Sequence, residues 1–448
     1  MVTGKMRNGA DPDGDGGPLG YPSHVVQPGP VAALARTPEE WAAALRPLGG
    51  RHFHARQLFR WMHERGILDP QQMTDLPGHL RSALSELGVE RSYRVIDVHR
   101  SVDRTRKLLL QLRDGATVET VLIPAVSAGP SSLPSPLADA RPVARSMPRE
   151  QTASDTAGIG MDNAGTGDAD ASAAVDDEDP EVHRPGAGLD GERGVRVTQC
   201  VSSQVGCAMG CIFCASGVAG LRRHLGADEI VAQILVGRTQ LEPDETLTNV
   251  VFMGMGEPLH NYEATVRALR LLIHPGGIGL SPRRITVSTS GLVPEIARLG
   301  ADFEGSIGLA VSLHAADDAT RSRLMPINKK YPLPMLMDAL RAYPLPRRRR
   351  ITIEYTLVSG KNDGVDAAKK LARLLRGIAV KVNLIPMNPI GASALGPPDL
   401  GSVLEFQRVL CDAGYSCFIR RRRGDDVSAA CGQLAILGAK PKVRVSRS

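Results

Sequence analysis

The sequence predicts an α/β fold: a parallel sheet covered by helices, with a small helical segment in front of it. Three observations carry this prediction. From Val195 onward, strand-like runs alternate with amphipathic helical stretches, and repeated βα units build a parallel sheet with helices over it. Small or polar residues recur just after successive strand-like runs, where such sheets place their chemistry, whether open or closed. The first of these runs leads into Cys207, Cys211 and Cys214, a C-x3-C-x2-C motif.

Taken in order, residues 1–36 are dominated by Gly, Pro and Asp without periodicity, and a disordered extension is expected. From Thr37 apolar residues recur at helical spacing. Leu58, Phe59, Trp61 and Met62, then Leu80, Leu84 and Leu87, predict a helical segment over 37–98. Residues 99–124 hold two apolar runs, Leu108–Leu112 and Val118–Ile123, joined through Asp114-Gly115, a hairpin signal. Residues 125–193 are rich in Ala, Ser, Pro, Gly and Asp. Such a segment buries too little apolar surface to offset its ordering entropy, so a disordered acidic insertion is expected.

Residues 194–435 form the α/β core, and 436–448 a basic tail. The expected strands are Val195–Val201, Thr248–Met253, Arg284–Ser288, Ser306–Ser312, Ile351–Leu357, Val380–Ile385 and Cys417–Arg420. The clearest helices are Asp228–Leu241, Tyr262–Ile273, Asp363–Leu375 and Leu400–Ala413.

The chain has 448 residues, seven cysteines and a formal charge of +6. Between Glu150 and Glu192 stand twelve acidic residues and one Arg, a net of −11, so the remainder carries 6 + 11 = +17. A body that basic suits a polyanionic partner. No apolar run approaches the ~18 residues of a membrane span. The N-terminus has no apolar signal core, and the cysteine usage fits a reducing compartment. A cytoplasmic monomer is expected.

Three thiolates can hold an iron–sulfur cubane at three corners, where a four-iron cluster ordinarily takes four cysteines. One iron then keeps an open position for a small molecule. A structural zinc site is the alternative, but zinc usually takes paired C-x2-C units, and here there is one without a partner pair. His224, a conceivable fourth ligand, follows Arg222 and Arg223, a poor setting for a cation.

The wider pattern is more specific. Cys200-Val-Ser-Ser-Gln-Val-Gly-Cys207, the three-cysteine motif, Gly254-Met-Gly-Glu-Pro258, Ser288-Thr-Ser-Gly291, Ser312-Leu-His314, Asn383-Leu-Ile-Pro-Met-Asn-Pro389 and Gly424-Asp-Asp-Val-Ser-Ala-Ala-Cys431-Gly-Gln-Leu434 stand in this order. The set resembles the RlmN-type radical S-adenosylmethionine (SAM) enzymes, methyltransferases of adenosine C2 in ribosomal and transfer RNA. The likeness spans roughly residues 37–124 and 194–435.

The resemblance implies a partial (β/α) barrel of the radical SAM type. It also implies one [4Fe-4S] cluster on Cys207, Cys211 and Cys214, and two SAM molecules per turnover. Gly256 and Glu257 match the segment that receives the amino group and ribose side of SAM, and Ser288, Ser312, Leu313, His314 and Asn388 match its remaining contacts. Cys431 is implied to take a methyl group from a first SAM. A radical from a second SAM then activates that methyl for addition to C2. Glu119 matches the base that removes the C2 proton, and Cys200 the thiol that releases the product through a transient disulfide with Cys431. Adenosine 2503 of 23S rRNA, adenosine 37 of tRNA and an electron donor such as flavodoxin or ferredoxin are the implied partners. A relative that methylates C8 shares most of these motifs.

Without the resemblance, Glu119 reads as a solvent-facing hairpin residue, and Cys411 and Cys417 read as core. Arg347–Arg350 and Arg420–Arg423 are expected to flank the site, the second run gripping RNA phosphates. Arg51, Arg56 and Arg60 place the helical segment on the RNA as well. The acidic insertion is expected to be an inert solubilising loop, with competition for the basic face as the alternative.

Overall fold

The computed structural model describes residues 32–87, 93–125, 194–390, 395–420 and 422–434. The expected N-terminal extension up to residue 31, the insertion from 126 to 193 and the C-terminal tail lie outside the described residues. Three helices come first: α1 (Pro38–Leu45), α2 (His52–His63) and α3 (Gly78–Glu86). Thr37 starts α1 with a capping box, its hydroxyl accepting the Glu40 N–H while the Glu40 carboxylate accepts the Thr37 N–H. Of the residues marked by spacing, Leu58, Phe59, Trp61, Met62, Leu80 and Leu84 are buried, with Trp41 and Leu45 beside them, whereas Leu87, just past the end of α3, is exposed.

Three antiparallel strands follow: β1 (Tyr93–Arg100), β2 (Arg106–Leu112) and β3 (Thr117–Pro124). The β2–β3 turn is the expected hairpin, with Gly115 at φ +80° and the Asp114 carboxylate accepting the Ala116 N–H. β1 was not anticipated, and it lies across the boundary expected near residue 98.

The core begins with β4 (Val195–Cys200), then a two-stranded ribbon of β5 (Gln204–Val205) and β6 (Arg223–His224), with α4 (Ala215–Ala219) between them. The βα units continue through α5 (Ala227–Thr239), β7 (Glu245–Phe252), α6 (Tyr262–Ile273), β8 (Ile285–Thr289), α7 (Val293–Phe303) and β9 (Gly308–Ser312). They end with α8 (Asp318–Leu324), α9 (Leu333–Ala342), β10 (Ile351–Leu357), α10 (Val365–Leu374), β11 (Val380–Pro386), α11 (Leu400–Asp412) and β12 (Ser416–Ile419).

Among the described residues one sheet joins them in the order β1-β2-β3-β4-β7-β8-β9-β10-β11-β12. From β4 to β12 every pairing is parallel, and β3 meets β4 antiparallel, Val121 opposite Cys200. Among the described residues the sheet stays open, since β12 pairs with β11 alone. Val287, Leu309, Val311, Ile353, Val382 and Leu384 are buried, the apolar density expected of parallel strands covered by helices. No helix among the described residues is long and apolar enough to cross a membrane.

The helical segment is tied to the core by named contacts. The Arg267 guanidinium donates to the Ala35 carbonyl at 2.8 Å, and Arg238 to the His63 carbonyl at 3.1 Å. At Gly277 an added Cβ would stand 2.7 Å from the Phe59 ring, so the backbone itself makes this contact. At the other end of the hairpin, Arg106 and Glu245 form an ion pair with both side chains almost fully buried. Removing one partner of such a pair strands the other charge in a low dielectric. Arg106→Met is therefore expected to lower unfolding free energy by about 3–5 kcal/mol, measured by denaturant titration. Adding Glu245→Leu should recover most of that loss.

Candidate active site

Because the strands from β4 to β12 run parallel, their carboxyl ends share one edge, and the motif residues follow from it. Cys200 closes β4, Gly254–Pro258 follow β7, and Ser288 is the penultimate residue of β8. Ser312 ends β9 with Leu313 and His314 beyond it, Asn388 follows β11, and Arg420 follows β12 into the Cys431 loop.

The cysteine loop turns at Gly210, φ +67°. Gly217 lies so close beneath it that an added Cβ would meet the Cys211 backbone nitrogen and oxygen at 2.9 Å. The Cys207 sulfur accepts the Met209 N–H, and the Cys214 sulfur accepts the N–H groups of Ser216 and Gly217. Burial pushes all three thiols above their usual range. A bound cationic iron cluster would reverse that penalty and draw out the thiolates. His224 does not join them: its Nδ1 lies 2.9 Å from the Gln204 amide nitrogen, which also reaches His260 at 3.1 Å. Among the described residues no three His, Cys, Asp or Glu side chains converge on a single metal ion. One buried and two half-buried cysteines with backbone N–H donors fit a cluster held from its corners.

The surroundings also fit a small polar ligand. Gly254 and Gly256 (φ +104°) leave no room for side chains, since an added Cβ would meet Ser202 Oγ at 2.7 Å or Gln204 Cβ at 2.6 Å. The Glu257 carboxylate is buried, and burial raises its pKa. Its Oε2 accepts the Ser290 N–H at 2.7 Å and its Oε1 the Leu259 N–H at 3.1 Å. A buried carboxylate of this kind favours a cationic amino group beside it. Ser203 Oγ and Asn388 Oδ1 are buried without a hydrogen-bond partner among the described residues, and such groups call for a polar ligand.

Ser288 and Ser312 are half-buried. Leu313 is fully buried and both its backbone groups are engaged, its N–H with Glu354 and its carbonyl with Arg321. His314 sits at φ +55° with its Nδ1 accepting the Thr356 N–H at 2.8 Å. Burial, followed by the charge of Arg321, lowers its pKa to about 3, so the imidazole is neutral. Its ring meets Phe213 of the cysteine loop edge-on at 4.8 Å.

Sequence reading missed Arg321. This guanidinium is fully buried and donates to the carbonyls of Leu313, Ser290 and Ser312 and to Asn328 Oδ1. Burial lowers its pKa to about 10, and nearby Cys211 opposes that shift. One arginine thus ties the ends of β8 and β9 beside the cysteine loop. In the sequence it stands among the polar residues of a short helix, with nothing to mark it.

Glu119, read from pattern alone as solvent-facing, is buried. Its Oε1 lies 3.0 Å from Lys107 Nζ, which also donates to the Ser428 carbonyl at 3.4 Å. The Glu119 carbonyl accepts from Ser202 Oγ at 2.6 Å. Cys200, two residues further on across the β3–β4 pair, is buried, while Cys431 is exposed. Burial pushes the Cys200 thiol up to about 12, and the charge of Cys431 adds to the shift, so the two sulfurs lie within electrostatic range. The Cys431 carbonyl accepts the Asn388 amide at 3.0 Å, and the Gly432 carbonyl accepts the Ala215 N–H at 2.8 Å. Asn388 and the cysteine loop therefore hold the Cys431 segment in place. Cys417 is core, as expected, and Cys411 is half-buried.

The two basic runs do not flank one site. Arg347–Arg350 precede β10 and lie at the amino end of the sheet, opposite the rim. Of the second run, Arg420 lies 3.5 Å from Glu354, and Arg423 contacts Asp103 and the Pro124 carbonyl. Arg422 is exposed and donates to the Met387 carbonyl, and Arg421 is outside the described residues. Much of this run is thus spent on positioning the Cys431 loop.

Comparison with known proteins agrees with this architecture. Residues 201–373 match the radical SAM superfamily, and residues 36–89 match the ribosomal RNA large subunit methyltransferase N-terminal domain. A dual-specificity RNA methyltransferase RlmN of Sorangium cellulosum is 62% identical over 415 residues, 93% of this chain and 98% of that one. The RlmN of Syntrophobacter fumaroxidans is 40% identical over 397 residues, 88% of this chain and 94% of that one. A crystal structure of a radical SAM methyltransferase from Sphaerobacter thermophilus superposes with a TM-score of 0.72 at 37% identity, covering 90% of this chain and 99% of the other. With this identity over nearly its whole length, and with its cysteine loop at the rim of the matching sheet, the chain belongs to the RlmN family of radical SAM RNA methyltransferases.

Proposed function

We propose that this enzyme methylates C2 of adenosine, at position 2503 of 23S rRNA and at position 37 of tRNA, through a methyl group carried on Cys431. The observation that carries the reading is the meeting of Glu119, Cys200 and Cys431 beside the three-cysteine loop. Adenine C2 is electron-poor and has no lone pair with which to take a methyl directly, so the chemistry needs a carrier, a base and a releasing thiol.

When bound, the cluster and two SAM molecules per turnover supply the methyl group and the radical that activates it. Cys207, Cys211 and Cys214 hold the cluster. Glu257, on the backbone opened by Gly256, receives the amino group, and Ser288, Ser312, Leu313, His314 and Asn388 frame the rest of the SAM site. Cys431 is exposed and can reach both methyl donor and RNA. Once its methyl carbon has joined C2, the Glu119 carboxylate takes the C2 proton. The adduct gives up its unpaired electron to the redox partner, and the Cys200 thiolate then attacks the Cys431 sulfur: the S–S bond forms, the bond from that sulfur to the methylene carbon breaks with its electron pair left on the carbon, and a proton completes the methyl group of the freed base. Thiol exchange restores both thiols, which fits a cytoplasmic setting. A flavodoxin or ferredoxin supplies electrons to the monomeric enzyme. The target adenosine must leave its stack to reach this rim.

The buried and exposed positions of the two thiols suit this order of events. A thiol held near 12 is inert while Cys431 is loaded. The thiolate fraction of Cys200 rises about tenfold per pH unit below that value. Single-turnover product release should therefore accelerate with pH between about 7 and 9, with a logarithmic slope near one. A flat profile would count against Cys200 as the attacking group.

Cys431→Ala is expected to abolish methylation while iron content and the visible cluster spectrum stay at parent levels. Cys200→Ala should stop after addition and leave RNA covalently attached to Cys431, seen as a shifted band on a denaturing gel. Free methylated RNA from that variant would remove Cys200 from the mechanism. Nucleoside mass spectrometry after reaction with unmodified 23S rRNA tests the regiochemistry. A 2-methyladenosine peak is expected, and 8-methyladenosine would overturn the C2 assignment.

A further inference from the structure

The end of the sheet opposite the active rim carries its own concentration of arginine. Arg283 and Arg284 precede β8, Arg347–Arg350 precede β10, and Arg376 precedes β11. In the β8–β9–β10 ladder Thr286 pairs with Gly308, and Ala310 pairs with Thr352. Arg284, in the 3-10 turn before β8, and Arg348, in the turn before β10 at φ +67°, lie at the amino-end edge of the two strands that flank β9.

The charges on this edge are handled in two ways. Beneath β7, Arg100, Arg104 and Arg106 are matched by Glu242, Asp244 and Glu245. Beneath β10, Arg347 and Arg348 are exposed. Among the described residues no carboxylate stands in ion-pair contact with Arg347, Arg348 or Arg349. Glu304, at the end of α7, is the exposed carboxylate on the neighbouring stretch, where the Gly305 backbone abuts Pro344. Adjacent like charges left without partners repel one another, so the free chain does not gain stability from this arrangement.

We propose that this arginine edge is a second RNA-binding surface, which grips the phosphate backbone of a structured RNA while the target adenosine sits at the opposite rim. Arginine forks suit phosphate oxygens. A protein partner would be expected to find an apolar centre. The exposed large apolar side chains of the described residues are Phe53, Leu87, Val95, Ile96, Val102, Ile212, Met335 and Leu400, and none belongs to this patch. The seven-residue β10 spans roughly 23 Å. A stem–loop of only a few base pairs bound at the rim is therefore too short to reach the patch, whereas a larger folded RNA can touch both ends. The inference rests on the RNA methyltransferase reading and adds to it a preference for large substrates.

The test compares the parent with Arg347→Gln/Arg348→Asn/Arg349→Gln. Asn is used at position 348 because φ there is +67°, which Asn tolerates. Two RNAs carry the same target adenosine, one a short stem–loop and the other a multi-helix fragment, and affinities are measured across a salt series. On the fragment the variant should bind roughly tenfold more weakly, with a salt slope smaller by about two. Stem–loop affinity and methylation should be unchanged. Unchanged fragment affinity and slope, or equal losses on both RNAs, would overturn the proposal. So would loss of binding to an acidic redox protein with fragment binding intact, which would assign the edge to that partner. Failure of the parent to methylate either RNA would count against the proposed function instead, and the affinity difference between the two RNAs would still report on the patch.

Discussion

A small buried hydrogen-bond network holds the elements of the candidate site in register. Gln199, Gln233, Ser202 and Thr120 are all fully buried. The Gln199 amide donates to the Gln233 carbonyl and to Thr120 Oγ1, and Thr120 donates to the Cys200 carbonyl. The Gln233 side chain bonds both backbone groups of Ser202. Ser202 Oγ then donates to the Glu119 carbonyl and accepts the Met255 N–H. In a low dielectric each of these bonds is strong and each loss is costly. Together they clamp β3, β4, α5 and the loop after β7, which carry Glu119, Cys200 and the Gly256-Glu257 segment. Gly237 of α5 leaves the space that Gln199 occupies, since an added Cβ would meet its amide oxygen at 2.3 Å.

Around this clamp the structure sorts its charges by purpose. Arg106 and Glu245 neutralise each other where the hairpin meets the core. Arg321 is surrounded by carbonyl acceptors and braces the cysteine loop. Arg420 and Arg423 bind Glu354 and Asp103 and shape the approach of the Cys431 segment. The β1–β2 turn adds to this, with Ser101 Oγ donating to Asp426 and the Asp103 carboxylate accepting the Gly424 N–H. The hairpin thus carries Glu119 and also grips the loop of Cys431.

Much of the core was readable in the chain because parallel strands buried on both faces leave apolar runs with sharp ends. Ile351–Leu357 falls where it was expected, and the other core strands shift by one to three residues at their ends. β1 escaped because Tyr93–Arg100 is an edge strand with most of its residues exposed, so neither alternation nor an apolar run marks it. Glu119 was singled out only through resemblance, and its burial was not legible in the pattern. A lone carboxylate in a hairpin reads as solvent-facing until a third strand and a helix cover it. The arginine runs were both visible, but their position was not, because a run preceding a strand and a run following one lie at opposite ends of a parallel sheet.

By itself the sequence determined the local matters: the βα alternation, the hairpin turn at Asp114-Gly115, the cysteine spacing and the ordered motifs that identify the family. These depend on short-range sterics and on the period of burial. Tertiary structure decided which groups lose their water and what they meet. Cys200 and Glu119 are buried while Cys431 is exposed, Lys107 stands against Glu119, and Arg321 sits beneath the cysteine loop. Desolvation and ion pairing depend on distances between residues remote in sequence, and those distances exist only once the sheet has formed.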